Sequence, residues 1–158
     1  MQSIMLADAD ATERLGEALA RSRDASQRLV VHLHGELGAG KSTLARSMLR
    51  ALGVRGAIRS PTYTLLERYP LQCGEAVHMD LYRIGDAAEL EFLGVDELDQ
   101  PSSLWLVEWP ERAGHGLPPT DLRIDLQHAG AGRIARLEGV SEPGRRWLQR
   151  VGEVAPQG

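Results

Sequence analysis

Apolar positions along this chain recur in two rhythms, one helical and one extended. Leu15, Ala18 and Leu19 fall at helical spacing. Ahead of them, Asp10 followed three residues on by Glu13 resembles a capping box, with Thr12 as the competing cap. Leu29-Val30-Val31-His32-Leu33-His34 reads as a strand. Residues 42–52 read as a helix with Gly53 as its C-cap. Ser60-Pro61-Thr62 interrupts regular structure, because Pro61 restrains the residue before it. Residues 64–69 and 76–80 read as strands joined around Gln72-Cys73-Gly74, and 87–93 as a short helix. Leu104-Trp105-Leu106-Val107 is a continuous apolar run, as expected of a strand buried on both faces. Residues 123–127 and 134–137 alternate and predict a hairpin around Gly130-Ala131-Gly132. Residues 142–151 predict a terminal helix carrying Trp147, followed by a loose tail over 152–158.

The segment between the second predicted element and its helix carries the chemistry. Gly35-Glu36-Leu37-Gly38-Ala39-Gly40-Lys41-Ser42 fits G-x-x-x-x-G-K-[ST], the phosphate-binding loop of nucleoside triphosphatases. Of the 18 basic residues Lys41 is the only lysine. A compact ammonium reaches between β- and γ-phosphates where a planar guanidinium does not fit. The three glycines let successive N–H groups turn inward as a nest for anionic oxygens, at the N-terminus of a helix whose dipole favours negative charge. Ser42 offers a hydroxyl to Mg²⁺. Strand, loop and helix occur in the required order, so the expected fold is α/β: a P-loop NTPase-like three-layer sandwich. Its central sheet is expected to be mainly parallel, with antiparallel strands added by the late hairpin. No linker, repeat or low-complexity segment is visible, and residues 1–158 read as one domain.

A phosphate-loop site needs a carboxylate at the end of a buried strand to orient Mg²⁺ or water. Glu108 follows the most apolar strand and Asp80 follows Ala76-Val77-His78-Met79. Both emerge at the carboxyl edge of the sheet, where open α/β folds bind ligands. Glu108 is the favoured metal ligand, and Asp80 would position the attacking water or the metal. Either acid taken alone could instead cap a turn. His32 and His34 share a strand face, but read as packing residues rather than a metal pair. His78 reads as a satisfied buried histidine.

Composition narrows the setting. The chain has 158 residues, 42% hydrophobic and 25% charged, which suits a globular domain with a sizeable core. No stretch approaches a membrane span and the first residues lack a basic-then-apolar signal, so a cytoplasmic location with no membrane contact is expected. The lone Cys73 cannot pair internally and fits a reducing compartment. The net charge of −4 lacks the basic footprint of a free-standing nucleic-acid binder. Any RNA contact is therefore expected to be indirect, through partners.

Four segments together resemble the TsaE (YjeE) family, bacterial ATPases of tRNA threonylcarbamoyladenosine synthesis. They are the loop from Gly35 to Thr43, Ser60-Pro61-Thr62-Tyr63-Thr64-Leu65, His78-Met79-Asp80-Leu81-Tyr82-Arg83, and Leu106-Val107-Glu108-Trp109-Pro110-Glu111; Glu89-Leu90-Glu91-Phe92-Leu93-Gly94 also fits. The resemblance spans about residues 8–140 and fades toward the C-terminus. It implies that Gly38, Ala39, Gly40, Lys41, Ser42 and Thr43 hold the triphosphate of ATP. It implies Glu108 as magnesium ligand with Ser42, Asp80 as the other functional acid, and Trp109 as an aromatic near the site. Ser60-Pro61-Thr62 would act as a switch-like loop in which Thr62 senses the γ-phosphate. Ala11 and Thr12 of the first helix and the Gly132-Arg133 loop would flank the adenine. Ser42 stands where the family often has threonine, and either hydroxyl can ligate Mg²⁺. The partners implied are the proteins TsaD and TsaB.

Other readings compete. A small-molecule kinase of the P-loop class would need an arginine-bearing lid and an acceptor pocket, and no such lid stands out. A GTPase is disfavoured, because an N-K-x-D segment is impossible when the only lysine is already in the loop. A nucleotide-binding module without turnover leaves Asp80 and Glu108 unexplained.

Overall fold

The structure is a computed structural model that describes residues 1–86, 88–98 and 100–154. It contains a seven-stranded sheet: β1 (Gln2–Leu6), β2 (Leu29–His34), β3 (Leu66–Pro70), β4 (Glu75–Asp80), β5 (Ser103–Glu108), β6 (Leu122–Ala129) and β7 (Gly132–Gly139). Its helices are α1 (Ala9–Arg21), α2 (Lys41–Ala51), α3 (Glu89–Phe92), α4 (Val95–Leu98) and α5 (Glu142–Val154), with a 3₁₀ turn over Pro110–Ala113.

Strand order is β1-β7-β6-β2-β5-β4-β3. The centre is parallel (β6 with β2, β2 with β5, β5 with β4), and each flank is antiparallel (β7 with β6, β1 with β7, β3 with β4). This is the expected α/β arrangement with a parallel centre and antiparallel additions. Side chains of the central strands alternate between two cores, as the period of two requires. Leu29, Val31, Leu33, Leu104 and Leu106 pack under Leu15 and Leu19 of α1, Leu44 and Met48 of α2, and Trp147 and Val151 of α5. Val30, Trp105, Val107, Val77 and Met79 face the opposite layer, built from Leu81, Ile84, Leu90, Val95, Leu98 and Ala113. The second layer is small, and along β6 its face carries the exposed Arg123 and Gln127, the solvated side an antiparallel flank tolerates.

Several local expectations need correction. The cap of α1 is Asp8, whose side chain accepts from the N–H of Ala11 at 2.9 Å, so the helix starts before Asp10 and Thr12. The C-cap of α2 is Leu52, with Gly53 one position beyond it at φ 96°. The terminal helix runs on to Val154, so 152–154 are not a loose tail; 155–158 lie outside the described residues. The short helix after β4 is confined to Glu89–Phe92, and Ala87, where it was expected to begin, lies outside the described residues. β1 and α4 were not anticipated. Among the described residues no helix is long and apolar enough to cross a membrane.

One close approach fixes the helical layer above the site. A Cβ on Gly16 would lie 1.8 Å from Oγ of Ser47, so only a glycine lets α1 settle this deeply onto α2.

Candidate functional site

The loop between β2 and α2 opens the site. Gly35, Gly38 and Gly40 all take positive φ (147°, 79° and 108°), a region closed to most side chains. Gly40 is the N-cap of α2 and supplies no side-chain cap, and no acidic residue lies in the first helical turn. The amide groups of that turn and the positive end of the helix dipole are therefore free of a carboxylate of the helix's own. This is the arrangement that accepts an anion.

Lys41, the first residue of α2, is only 4% exposed. Its Nζ donates to the carbonyls of Gly35 (2.5 Å) and Glu36 (2.9 Å) and stands 4.4 Å from the ring centroid of Trp109. Burial pushes the Lys41 pKa below the ordinary lysine value, against the opposing pull of the Glu108, Asp80 and Glu111 carboxylates.

The two acids lie side by side. Asp80 ends β4, Glu108 ends β5, and the two are partners in the parallel register. Glu108 is buried, and its Oε1 accepts from Oγ of Ser42 at 2.9 Å. Its Oε2 lies 2.7 Å from Nε2 of His78. Oδ1 of Asp80 accepts from the N–H of Tyr82 at 3.0 Å, and Oδ2 from Oγ1 of Thr62 at 3.4 Å. Thr62 is held in turn by Oγ of Ser60 at 2.7 Å. Burial pushes the Asp80 carboxyl up; the Tyr82 N–H pulls it down and the adjacent Glu108 pushes it up again.

Backbone geometry at this edge is unusual. Trp109, immediately after Glu108, sits in the left-handed region (φ 57°), as does Leu65 (φ 66°), whose carbonyl accepts from the N–H of Asp80. Non-glycine residues enter that region at a cost and gather at functional sites. The turn aims the Trp109 ring at Lys41 and sets it 5.0 Å from the ring of Tyr82 at a 48° tilt, with the Arg112 guanidinium 5.2 Å from Tyr82.

Beside the loop lies a cavity of about 160 Å³ whose lining includes Thr12, Gly38, Gly40, Thr43, Gly132 and Arg133. Ala39 lines it too. Arg133 closes it by donating to the carbonyl of Gly38 at 3.0 Å. The structure thus brings Thr12 and Gly132 to the phosphate loop. Ala11 is not in that lining: its N–H is taken by Asp8 and its side chain packs on the core.

The arrangement can do two things chemically. The loop can hold a polyanion, and Ser42 with Glu108 and Asp80 can offer hard oxygen donors to a divalent ion. Among the described residues no group of three or more His, Cys, Asp and Glu is arranged as a metal cage. One or two carboxylates plus phosphate oxygens is the donor set Mg²⁺ commonly takes, so the residues present fit that ion. His32 and His34 do not join the site; Nδ1 of His34 lies 3.4 Å from Oε2 of Glu111.

Sequence reasoning missed two participants. His78 reads from the sequence as a satisfied buried histidine with no part in the site, yet its partner is Glu108. The signal was a histidine two positions before Asp80 in a strand otherwise buried and apolar. Arg133 was placed near the base but not on the loop backbone, a contact 95 residues apart that no local pattern reveals.

A wound sheet with a parallel centre, a glycine-rich strand–loop–helix and paired acids on adjacent strand ends define the P-loop NTPase-like class of α/β folds. Crystallised Bacillus subtilis YdiB shares this fold, with a TM-score of 0.79 at 23% identity over 96% of this chain and 94% of that one. The family model described as threonylcarbamoyl adenosine biosynthesis protein TsaE matches residues 6–136, and the chain belongs to the TsaE family. Relatives named tRNA threonylcarbamoyladenosine biosynthesis protein TsaE include that of Haemophilus influenzae, 38% identical over 74% of each chain. The Aquifex aeolicus protein is 33% identical over 80% of this chain and 87% of its own. The Streptomyces coelicolor protein is 37% identical over 84% and 91%.

Proposed function

We propose that this protein binds ATP with Mg²⁺ and hydrolyses it slowly, as a component of tRNA threonylcarbamoyladenosine synthesis. It acts on an assembly of TsaD and TsaB rather than on tRNA directly. One juxtaposition carries the ATPase reading: Lys41 and Ser42 at the start of α2 stand against Glu108 at the end of β5, with Asp80 in the next strand. The pathway rests on family membership, and the partners on the resemblance of the four sequence segments.

In this reading the loop amides and Lys41 hold the β- and γ-phosphates, and Ser42 and Glu108 hold Mg²⁺. Bound Mg²⁺ supplies charge neutralisation at the phosphate oxygens. To reach the phosphates the ammonium exchanges the Gly35 and Glu36 carbonyls for anionic oxygens, a stronger charge-assisted pairing. Asp80, held by Tyr82 and Thr62, faces the same edge and orients water. Thr62 links that acid to the 60–62 loop, so occupancy of the site is communicated to that loop and the exposed Ser60. The cavity bounded by Thr12, Gly132 and Arg133 receives the base.

The test is direct. The purified protein should bind MgATP and turn it over slowly, with turnover raised by TsaD and TsaB. Lys41→Ala should reduce turnover at least a hundredfold, about 3 kcal/mol. Recovery of TsaD and TsaB from extract with a non-hydrolysable ATP analogue supports the assembly. Normal tRNA modification in cells carrying only Lys41→Ala refutes the role. ATP loss that depends on a metabolite and yields a phosphorylated product would assign the site to a small-molecule kinase.

A further inference from the structure

His78 is buried at 0% exposure in the middle of β4, between Val77 and Met79 of the second core. Its Nδ1 is buried without a hydrogen-bond partner. A purely structural residue at this position would be aliphatic, since an unpaired buried nitrogen costs free energy that a leucine does not. What the imidazole gains is at its other nitrogen, 2.7 Å from Oε2 of Glu108. That partner is a carboxylate, which assigns the proton to Nε2 as donor.

The register explains the contact. His78 pairs with Leu106 and Asp80 pairs with Glu108. His78 is thus the diagonal neighbour of Glu108 on one sheet face, within reach of a long side chain. The two oxygens of Glu108 are divided: Oε2 to His78, Oε1 to Ser42. The terminal torsion of a glutamate is broad when nothing holds it. Here the imidazole fixes the carboxylate plane, and because it belongs to β4 it also locks the strand that carries Asp80 to the strand that carries Glu108.

We propose that His78 is a positioning residue: its Nε2–H holds the Glu108 carboxylate so that Oε1 faces Ser42 and the divalent ion. The inference rests on the MgATP reading above. Partners that orient metal-ligating groups typically change metal affinity about 10- to 100-fold when removed.

The experiment compares the parent protein with His78→Leu and His78→Gln. Glutamine places an amide N–H where Nε2 stands, and leucine fills the volume without a donor. In His78→Leu, the Mg²⁺ concentration for half-maximal nucleotide binding should rise about tenfold or more. ATP binding measured in EDTA should change less than about twofold, because the loop and Lys41 are untouched. His78→Gln should restore the Mg²⁺ requirement to within about threefold of the parent. An unchanged Mg²⁺ requirement in His78→Leu overturns the proposal. So does an equal loss of metal-free binding, or a glutamine variant no better than leucine. If the parent itself shows no Mg²⁺ dependence, the MgATP reading fails. The clamp is then judged by a crystal structure of His78→Leu: Glu108 turned away from Ser42 supports it, and an unmoved Glu108 overturns it.

Discussion

The ammonium of Lys41 lies 4.4 Å from the ring centroid of Trp109, and the two residues enter the site from opposite sides of the sheet edge, one on α2 and one after β5. A cation over an indole face is worth about 0.5–2 kcal/mol, depending on desolvation. Any ligand that draws the ammonium away from Gly35 and Glu36 must also change the environment of this ring. The other two tryptophans are insulated: Trp105 and Trp147 are fully buried, with Nε1 donating to Oγ of Ser103 and the carbonyl of Leu19, each at 3.0 Å. Titration with MgATP should therefore change intrinsic fluorescence through Trp109. The change should vanish in Trp109→Phe and shrink in Lys41→Ala. A full-sized response surviving Trp109→Phe would contradict this assignment.

Asp80 and Glu108 form a like-charge pair on adjacent strands, an arrangement that suits a cation and, without one, costs the fold. Glu108→Gln keeps the volume. The amide oxygen can accept from His78 and the amide N–H can donate to Ser42, so no polar atom is orphaned. The variant should be more stable than the parent by about 1 kcal/mol in urea denaturation at neutral pH. The Asp80 carboxyl should titrate lower once its neighbour is neutral. Magnesium-dependent turnover should fall at least a hundredfold, about 3 kcal/mol. A less stable Glu108→Gln protein would show that the charge pair is not the dominant cost.

Gly16 offers a test in which helix propensity and packing point in opposite directions. In an exposed helix, glycine to alanine is favourable by about 1 kcal/mol. Here the new methyl would meet Oγ of Ser47 at 1.8 Å and the carbonyl of Leu44 at 3.1 Å. Overpacking of this kind costs about 1–3 kcal/mol. Gly16→Ala should thus lower the urea midpoint, and by displacing α1 it should weaken nucleotide binding at the Thr12 cavity more than it alters the Ser42–Glu108 contact. A stabilised Gly16→Ala protein would mean α1 moves away from α2 at little cost.

Legibility in the sequence followed the range of the interactions. The phosphate loop is a local backbone device, so Gly35, Gly38, Gly40, Lys41 and Ser42 announce it in eight consecutive residues. Glu108 and Asp80 were legible because each ends an apolar strand, and a parallel centre brings such ends together. β1 was hidden because the exposed Met5 is as apolar as the inward-facing Ile4 and Leu6, so burial alternates along Gln2–Leu6 while hydropathy does not. The cap of α1 was misplaced because Asp8, Asp10 and Thr12 are all competent caps, and only the backbone conformation at Asp8 decides among them. The His78–Glu108 and Arg133–Gly38 contacts join segments 30 and 95 residues apart, so they depend on strand order, which no local pattern fixes.

Strand order also creates an acid-sensitive spot away from the loop. On β2, His32 is partly buried with Nε2 unpartnered, and burial, then the neighbouring His34 and Arg123, lower its pKa from 6.5 to about 4; Asp121 opposes them weakly. The fold therefore holds a neutral imidazole that the unfolded chain protonates at 6.5. Between pH 6.5 and about 4 the unfolded state binds more protons, so stability falls as pH falls through that window. The loss should be roughly 1–3 kcal/mol once the ring's partial exposure is allowed for. His34, lowered mainly by burial, acts in the same direction. Asp80, whose carboxyl is raised above 3.8, acts in the opposite one, because protonation there favours the fold. Comparing urea denaturation of the parent and His32→Gln at pH 7.5 and pH 5 isolates the histidine. The variant should lose clearly less stability on acidification. Parallel losses in the two proteins would move the acid sensitivity to other groups.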